Sequence, residues 1–291
     1  MRLDGRRQSS NVDDRRGQGM RFSGGKLAGG GIVAVVVAAI FAWISGGNPL
    51  EVLMSEGGAM LSGAGTEQTY TPTAEEEELA VFSKQILAGT EDVWSEIFAQ
   101  NGMTYKPPRL VLFSGSVQSA CGGATAQSGP FYCSADQSVY LDLSFFQNMK
   151  RQLGADGDFA YAYVIAHEVG HHVQYLLGTL DDAHRQMSRL SETEANKISV
   201  RLELQADFFA GVWAYHDNKR FNSLEPGDIE EALDAASKIG DDYLQKRAQG
   251  YAVPDSFNHG TSKQREKWLR LGLTTGNPSR GDTFSPAYSA L

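Results

Sequence analysis

Residues 166–172 of the 291-residue chain read Ala-His-Glu-Val-Gly-His-His, within an apolar stretch, 159–177, that predicts one long helix. Residues four apart lie on the same face of a helix, one turn from each other. His167 and His171 can therefore present both imidazoles to one metal ion. Glu168 projects beside that ion, where it can take a proton from water and pass it to a leaving amine. The pattern predicts one Zn²⁺ per chain.

A second interpretation of this stretch is a surface helix that carries two histidines and a glutamate by chance. The remaining positions of the helix are largely apolar, so we expect it to be buried. Burial of three such polar groups without a partner is costly, and this cost favours the metal site.

The third ligand must come from elsewhere, and a predicted helix over 191–215 offers two carboxylates. Glu203 and Asp207 are four residues apart in Arg-Leu-Glu-Leu-Gln-Ala-Asp-Phe-Phe-Ala. A carboxylate in so packed a stretch needs a cation or hydrogen-bond donors. We predict Glu203 as the third ligand and Asp207 as the acceptor of a ligating histidine's free N–H, with the reverse assignment left open. The competing candidates are Glu192, Glu194, His184 and His172.

His259 is a further candidate for the active site. It lies in a loop, 257–262, just before a predicted amphipathic helix over 264–271. A histidine delivered by a loop can stabilise the oxyanion of a tetrahedral intermediate. The alternative is a histidine that caps the helix or lies on the surface.

The rest of the C-terminal part combines few strands with many helices, which indicates an α+β fold. Apolar residues at helical spacing predict a helix over 83–100, in which Gly89 is a candidate break, and another over 226–245. Residues 109–113 and 139–143 are the two strand candidates.

The N-terminal part of the chain is organised differently. Residues 1–26 are polar and rich in arginine, so we expect a disordered tail. Residues 27–47 are apolar and uncharged, which predicts a single transmembrane helix. A Gly/Ser/Thr-rich linker over 48–73 then leads to a domain formed by 74–291. The alternatives for the apolar run are a cleaved signal peptide and a buried core helix.

The flanking charges predict how this helix is oriented. Lysine and arginine cluster before the apolar run, and residues 45–65 contain none. The positive-inside rule then predicts a cytoplasmic N-terminus and an extracytoplasmic domain at the inner membrane. Such a compartment is oxidising, so we predict a disulfide between Cys121 and Cys133, with two buried thiols as the alternative. The net charge of -9 argues against nucleic acid as a partner.

Taken as a set, these motifs resemble a bacterial family, the neutral zinc metallopeptidases of the YpfJ type, which are similar to the gluzincin group of zincins. The resemblance rests on the two ligand-bearing stretches and on four others, 6–17, 129–133, 139–143 and 259–262. It implies a zincin-like fold that is mostly helical with a small sheet.

The resemblance also implies roles for individual residues. It supports His167, His171 and Glu203 as zinc ligands, Glu168 as the catalytic base and His259 as a catalytic residue. It further implies that one strand pairs with an extended peptide substrate. The substrate-binding residues on that strand are then Val139, Tyr140 and Leu141.

Three functions are compatible with these features. The first is a membrane-anchored zinc endopeptidase that acts on exported proteins or peptides. The second is a membrane-tethered binding or adaptor protein with a structural zinc site, which needs four closed protein ligands, for example with His259 as the fourth. The third is a zinc hydrolase of a bond other than the peptide bond.

Overall fold

The computed structural model describes residues 1–18 and 70–291, and within them the strands form one four-stranded sheet and a separate hairpin. The strands are β1 (Val12–Asp14), β2 (Arg109–Phe113), β3 (Ser116–Ser119), β4 (Gly122–Thr125), β5 (Phe131–Cys133) and β6 (Ser138–Asp142). The sheet has the order β1-β2-β6-β5. In it β1, β2 and β6 are parallel and β5 is antiparallel to β6. The two predicted strands are therefore the central pair.

The two faces of the sheet are covered differently. Side chains alternate between the faces along a strand, and Leu112 of β2 points into the core that the sheet shares with the helices. Its neighbours Val111 and Phe113 point to the other face, which the β3–β4 hairpin covers. The predicted disulfide is confirmed: Cys121, in the turn of the hairpin, is bonded to Cys133 of β5.

Helices make up most of the described structure, which confirms the α+β prediction. They are α1 (Ala74–Gln100), α2 (Ser144–Asn148), α3 (Asp158–Leu176), α4 (Thr179–Met187), α5 (Glu192–Phe221), α6 (Asp228–Lys238), α7 (Asp241–Gln249) and α8 (Ser262–Thr275). The predicted helix at 159–177 is α3. The one predicted at 191–215 is α5, which continues for six residues more.

Two glycines account for differences from the predicted helices. Helix α1 runs without a break through Gly89, where a Cβ atom would lie 2.8 Å from Arg6 Nη2 and 2.9 Å from Asp217 Oδ1. The predicted helix over 226–245 is instead divided into α6 and α7 at Ile239 and Gly240, and the backbone of Ser262 packs directly against this glycine. Both glycines permit close approach, and only the second lies at a helix boundary.

Close helix contacts also position the candidate site. Helices α3 and α5 approach at Gly170, where a Cβ atom would lie 2.9 Å from the carbonyl oxygen of Ala206. Helix α8 packs against α5 through a similar contact between Gly211 and Gly272. Glycine permits such backbone approach because it has no side chain. Residues of α3, α5 and α8 are thereby brought to one place.

The N-terminal segment, residues 1–18, is folded against the rest of the protein, so the prediction of a disordered tail is wrong for it. Strand β1 pairs with β2 along the edge of the sheet. Arg6 donates hydrogen bonds of 2.6 and 3.2 Å to the buried carboxylate of Asp217. The α-amino group of Met1 lies 3.3 Å from Asp228. Arginines that the sequence suggested to be solvated thus have partners in the domain.

Gly17 packs against the side chain of Tyr70, so the described residues on either side of the stretch 19–69 lie close together. The predicted transmembrane helix, 27–47, and most of the predicted linker, 48–73, lie outside the described residues. In the parts of the chain that are described, no helix has both the length and the apolar character needed to cross a bilayer. The N-terminal segment and the domain form one folded unit, so a single crossing of a membrane by residues 27–47 would separate strands that pair in this structure.

Candidate metal centre

Three predicted ligands lie together where α3 and α5 approach each other. His167 Nε2 is 3.2 Å from Glu203 Oε2, and His171 Nε2 is 3.4 Å from Glu203 Oε1. One potential ligand atom from each of the three residues lies within 4.8 Å of the other two. His167 is buried, whereas His171 and Glu203 are partly exposed. The group is therefore open to solvent on one side.

Each histidine is oriented through its other ring nitrogen. His167 Nδ1 lies 2.8 Å from Asp207 Oδ1, and His171 Nδ1 lies 2.9 Å from the side-chain oxygen of Gln174. The amide nitrogen of Gln174 donates in turn to the carbonyl of Leu202 on α5. Both Nδ1 atoms thus act as donors, which leaves both Nε2 atoms free as ligands. Asp207 was predicted in this role, and Gln174 was not.

Glu168 follows the first ligand and keeps its carboxylate free. The residue is 9% exposed and makes no hydrogen bond to any part of the chain that the structure describes. Burial raises its pKa, while the imidazoles of His167 and His171 act in the opposite direction. A carboxylate with a raised pKa beside the ligands is suited to accept and release a proton.

The charges around the ligands favour a cation at this point. Burial opposes the charged form of His167, but the carboxylates of Asp207 and Glu203 outweigh it and raise the pKa of His167 to about 10. Burial likewise opposes ionisation of Glu203, but His171 and His167 hold its pKa well below the usual range. An excess of carboxylate among the imidazoles is the setting that a divalent metal ion requires.

Arg265 of α8 enters the same cluster and was missed by sequence reasoning. Its guanidinium donates to both oxygens of Asp207, from Nε and from Nη2, each at 2.9 Å. Tyr163 completes the group, since its hydroxyl donates to Asp207 at 2.6 Å and accepts from Arg265 at 3.2 Å. Burial opposes ionisation of Asp207, but Arg265 and His167 lower its pKa. The sequence offered one indication of such a partner, because an aspartate in a stretch as apolar as that around Asp207 needs a cation beside it.

His259 borders the ligand group without joining it. Its Nδ1 lies 3.1 Å from Asp241 Oδ1, and the other oxygen of Asp241 accepts the backbone N–H groups of His259 and Gly260 at 2.7 and 2.9 Å. Its charge is close enough to that of Glu203 for each to affect the pKa of the other. Burial works against a charged His259, but Asp241 raises its pKa. Asp241, which the sequence analysis did not single out, thus fixes both the backbone of the loop and the imidazole of His259.

The competing ligand candidates lie elsewhere. His172 is fully buried, with Nδ1 2.9 Å from the hydroxyl of Tyr132 and Nε2 2.6 Å from the carbonyl of Lys106. Burial lowers the pKa of His172 to about 4, so this residue packs as a neutral ring. Three other candidates, His184, Glu192 and Glu194, do not belong to the ligand group.

The strand predicted to bind substrate is covered over most of its length. Val139, Tyr140 and Leu141 belong to β6 and are buried. All three pair with β2, and Val139 and Tyr140 also pair with β5 on the other side. The predicted pairing with a substrate strand is therefore contradicted for Val139 and Tyr140, whose two edges are both occupied. The outermost strand on this side is β5, which pairs with β6 alone among the described strands. Strand β5 also contacts α3, through the hydrogen bond between Tyr132 and His172.

The donor set fits zinc. Two imidazoles and one carboxylate are ligand types that Zn²⁺ takes in catalytic sites, where a fourth position stays open. The two histidines lie one turn apart on a single helix, and a free glutamate follows the first of them. Such a helix, completed by a glutamate from a later helix, defines the class of H-E-x-x-H zinc metallopeptidases.

Within this class, the chain belongs to the family described as "Putative neutral zinc metallopeptidase", whose profile matches residues 1–284. It is 46% identical over 293 residues to the protein YpfJ of Escherichia coli (strain K12), which covers 98% of this chain and 99% of the relative. It is 44% identical over 193 residues to Rv2575 of Mycobacterium tuberculosis (strain ATCC 25618 / H37Rv), which covers 63% of this chain and 64% of the relative. Both relatives are described as uncharacterized proteins. No solved structure matches the chain. The family resemblance predicted from the motifs is confirmed.

Proposed function

We propose that the protein is a zinc-dependent endopeptidase that hydrolyses peptide bonds of exported proteins or peptides. The observation that carries this proposal is the free carboxylate of Glu168 beside a group of three potential ligands. A site that only stabilises a fold has no use for an unbonded buried carboxylate, whose burial costs free energy.

Each residue of the site has a distinct task in this reaction. His167, His171 and Glu203 would hold the zinc ion, which supplies a polarised carbonyl and a more acidic water. Glu168 takes a proton from the attacking water and returns it to the leaving amine. His259, held by Asp241, donates a hydrogen bond to the oxyanion that forms on the substrate carbonyl.

Strand β5 is the proposed substrate-binding edge. Its backbone is paired on one side only among the described strands, and an extended peptide can add to such an edge. The strand lies against α3 one residue from a ligand, since Tyr132 contacts His172, which follows His171. A bound peptide would then pass close to the ligand group.

The adaptor alternative, with a structural zinc ion, has less support. A structural site is closed by four protein ligands, and the group of histidine, cysteine, aspartate and glutamate side chains found in the described residues has three members. His259, the predicted fourth ligand, is not a member of this group.

We also propose an association with the bacterial cytoplasmic membrane through the uncharged run 27–47, with the N-terminal segment and the domain together on its outer side. The Cys121–Cys133 disulfide supports this location, since disulfides persist in oxidising compartments. Alkylation of thiols in intact cells tests it. Labelling of Cys121 and Cys133 without prior reduction would contradict an oxidising location.

The peptidase proposal is tested with the full chain and its Glu168→Gln variant. We expect about one zinc ion per chain in both proteins by metal analysis, and cleavage of a peptide library only by the wild type. Glu168→Gln keeps the size of the side chain and removes the base. Cleavage that persists in this variant, or a wild type that binds zinc but cleaves nothing, would refute the proposal.

A further inference from the structure

Arg265 is a cation at the centre of the candidate site with no assigned task in the reaction. Its side chain is 3% exposed, and it reaches the cluster from α8 rather than from either ligand-bearing helix. Besides Asp207 and Tyr163, its Nη2 lies 3.9 Å from Glu203 Oε2. It therefore lies between the carboxylate that orients His167 and the carboxylate that is proposed to bind the metal.

We propose that Arg265 is the positioning residue of the metal site: its two hydrogen bonds hold the carboxylate of Asp207 directed at His167. This inference rests on the metal site proposed above, though not on the nature of the substrate. Asp207 can accept the Nδ1–H of His167 only while it is a correctly oriented carboxylate. The two hydrogen bonds from Arg265 fix both oxygens in the plane that this contact needs.

Contact with substrate is a poor alternative role for Arg265. The residue is buried, and its guanidinium is directed at Asp207, Tyr163 and the carbonyl of Ile239. A guanidinium that binds a substrate needs donors facing the solvent side of the site. Arg265 thus acts through Asp207 and His167.

The test measures zinc affinity, by competition with a chelating dye, in the full chain without substrate. We expect Arg265→Met to weaken zinc binding by about 10- to 100-fold, the usual cost of losing a partner that orients a ligand. Arg265→Lys keeps the positive charge, and we expect it to recover at least half of that loss on a logarithmic scale.

Arg6→Met is the matched control, because Arg6 also makes two hydrogen bonds to a buried aspartate, Asp217. Asp217 lies fourteen residues beyond Glu203 on α5, about 21 Å away at 1.5 Å per residue. We expect the control to lose stability and to bind zinc as the wild type does.

Zinc binding by Arg265→Met that is as tight as in Arg6→Met would overturn the proposal. A lysine variant as weak as Arg265→Met would also overturn it, because a lysine ammonium can still donate a hydrogen bond to Asp207. If Arg265→Met does not fold, Arg265→Lys is tested instead, and we expect it to bind zinc a few-fold more weakly than the wild type. An equal loss of zinc affinity in Arg6→Met would then overturn the proposal. A wild type that binds zinc without cleaving peptides would refute the peptidase proposal alone, since these affinities need no substrate.

Discussion

The ion pair between Arg6 and Asp217 offers a direct test of whether the N-terminal segment belongs to the folded domain. Asp217 is fully buried in α5, and the side chain of Arg6 is 10% exposed. The guanidinium also lies 3.7 Å from the centre of the Phe221 ring. Replacing Arg6 by methionine keeps a long apolar side chain and removes both hydrogen bonds, so that Asp217 is left buried without a cation.

The expected loss of folding stability is large because the carboxylate of Asp217 stays buried without a partner. Breaking a buried ion pair by removal of one partner destabilises a protein by about 3–5 kcal/mol. For a protein of this size each kcal/mol corresponds to a shift in melting temperature of about 2–4 °C, so Arg6→Met should melt roughly 6–20 °C below the wild type. The measurement is thermal unfolding of the full chain by circular dichroism at fixed zinc concentration.

Two further variants make the result specific. Arg220→Met removes an exposed arginine from a pair with Glu96, and we expect its melting temperature to change by less than about 2 °C. The double variant Arg6→Met/Asp217→Leu leaves no buried charge, so it should recover most of the lost stability. If Arg6→Met melts no lower than Arg220→Met, the N-terminal segment is not docked and the account of the fold given above fails.

Three other predictions concern the helix contact, the oxyanion and the amino terminus. Gly170→Ala places a methyl group 2.9 Å from a carbonyl oxygen of α5, so we expect denaturant unfolding to show a loss of about 1–3 kcal/mol, and dye competition to show weaker zinc binding. His259→Ala should lower kcat for peptide cleavage by about 10²- to 10³-fold with unchanged zinc affinity; weaker zinc binding would instead indicate a ligand. Burial opposes the charged amine of Met1, but Glu225 and Asp228 raise the pKa of this amine above the ordinary value near 8. The charged amine therefore stabilises the fold below pH 8, and this stabilisation is lost as the pH rises through the pKa of the folded state. Denaturant unfolding as a function of pH should show this loss in the wild type and not in N-terminally acetylated protein.

The ligand-bearing helices were predictable because their chemistry is local. A spacing of four residues fixes two side chains on one helical face whatever the rest of the chain does, so His167 with His171, and Glu203 with Asp207, could be paired from the sequence. The long apolar runs around them marked α3 and α5 as buried. The spacing could not identify the side chains from other helices and strands that contact these residues.

Arg265 and Gln174 illustrate this limit. Arg265 lies in a helix of mixed polar composition, where an arginine is most often solvated, and only the packing of α8 against α5 places it on Asp207. Strand β5 was missed for a different reason. It has three residues, Phe131–Cys133, too few for an alternating pattern to be visible. The sequence therefore predicts only β6 at the place before the active-site helix where the family resemblance implies a substrate strand.

The predicted membrane orientation likewise assumed that the arginines of the N-terminal segment are solvated. The positive-inside rule counts arginines near an apolar run as if they faced water, yet Arg6, Arg7 and Arg16 pair with carboxylates of the domain. Their charges are therefore largely compensated within the folded unit, and their number says little about which side of a bilayer they occupy. Gly17 and Tyr70, the described residues that flank the stretch 19–69, are in contact, so a single crossing of a membrane by that stretch would require the sheet to lose β1 and Asp217 to lose Arg6. The stability loss expected for Arg6→Met thus also sets a scale for the energetic cost of the single-pass arrangement.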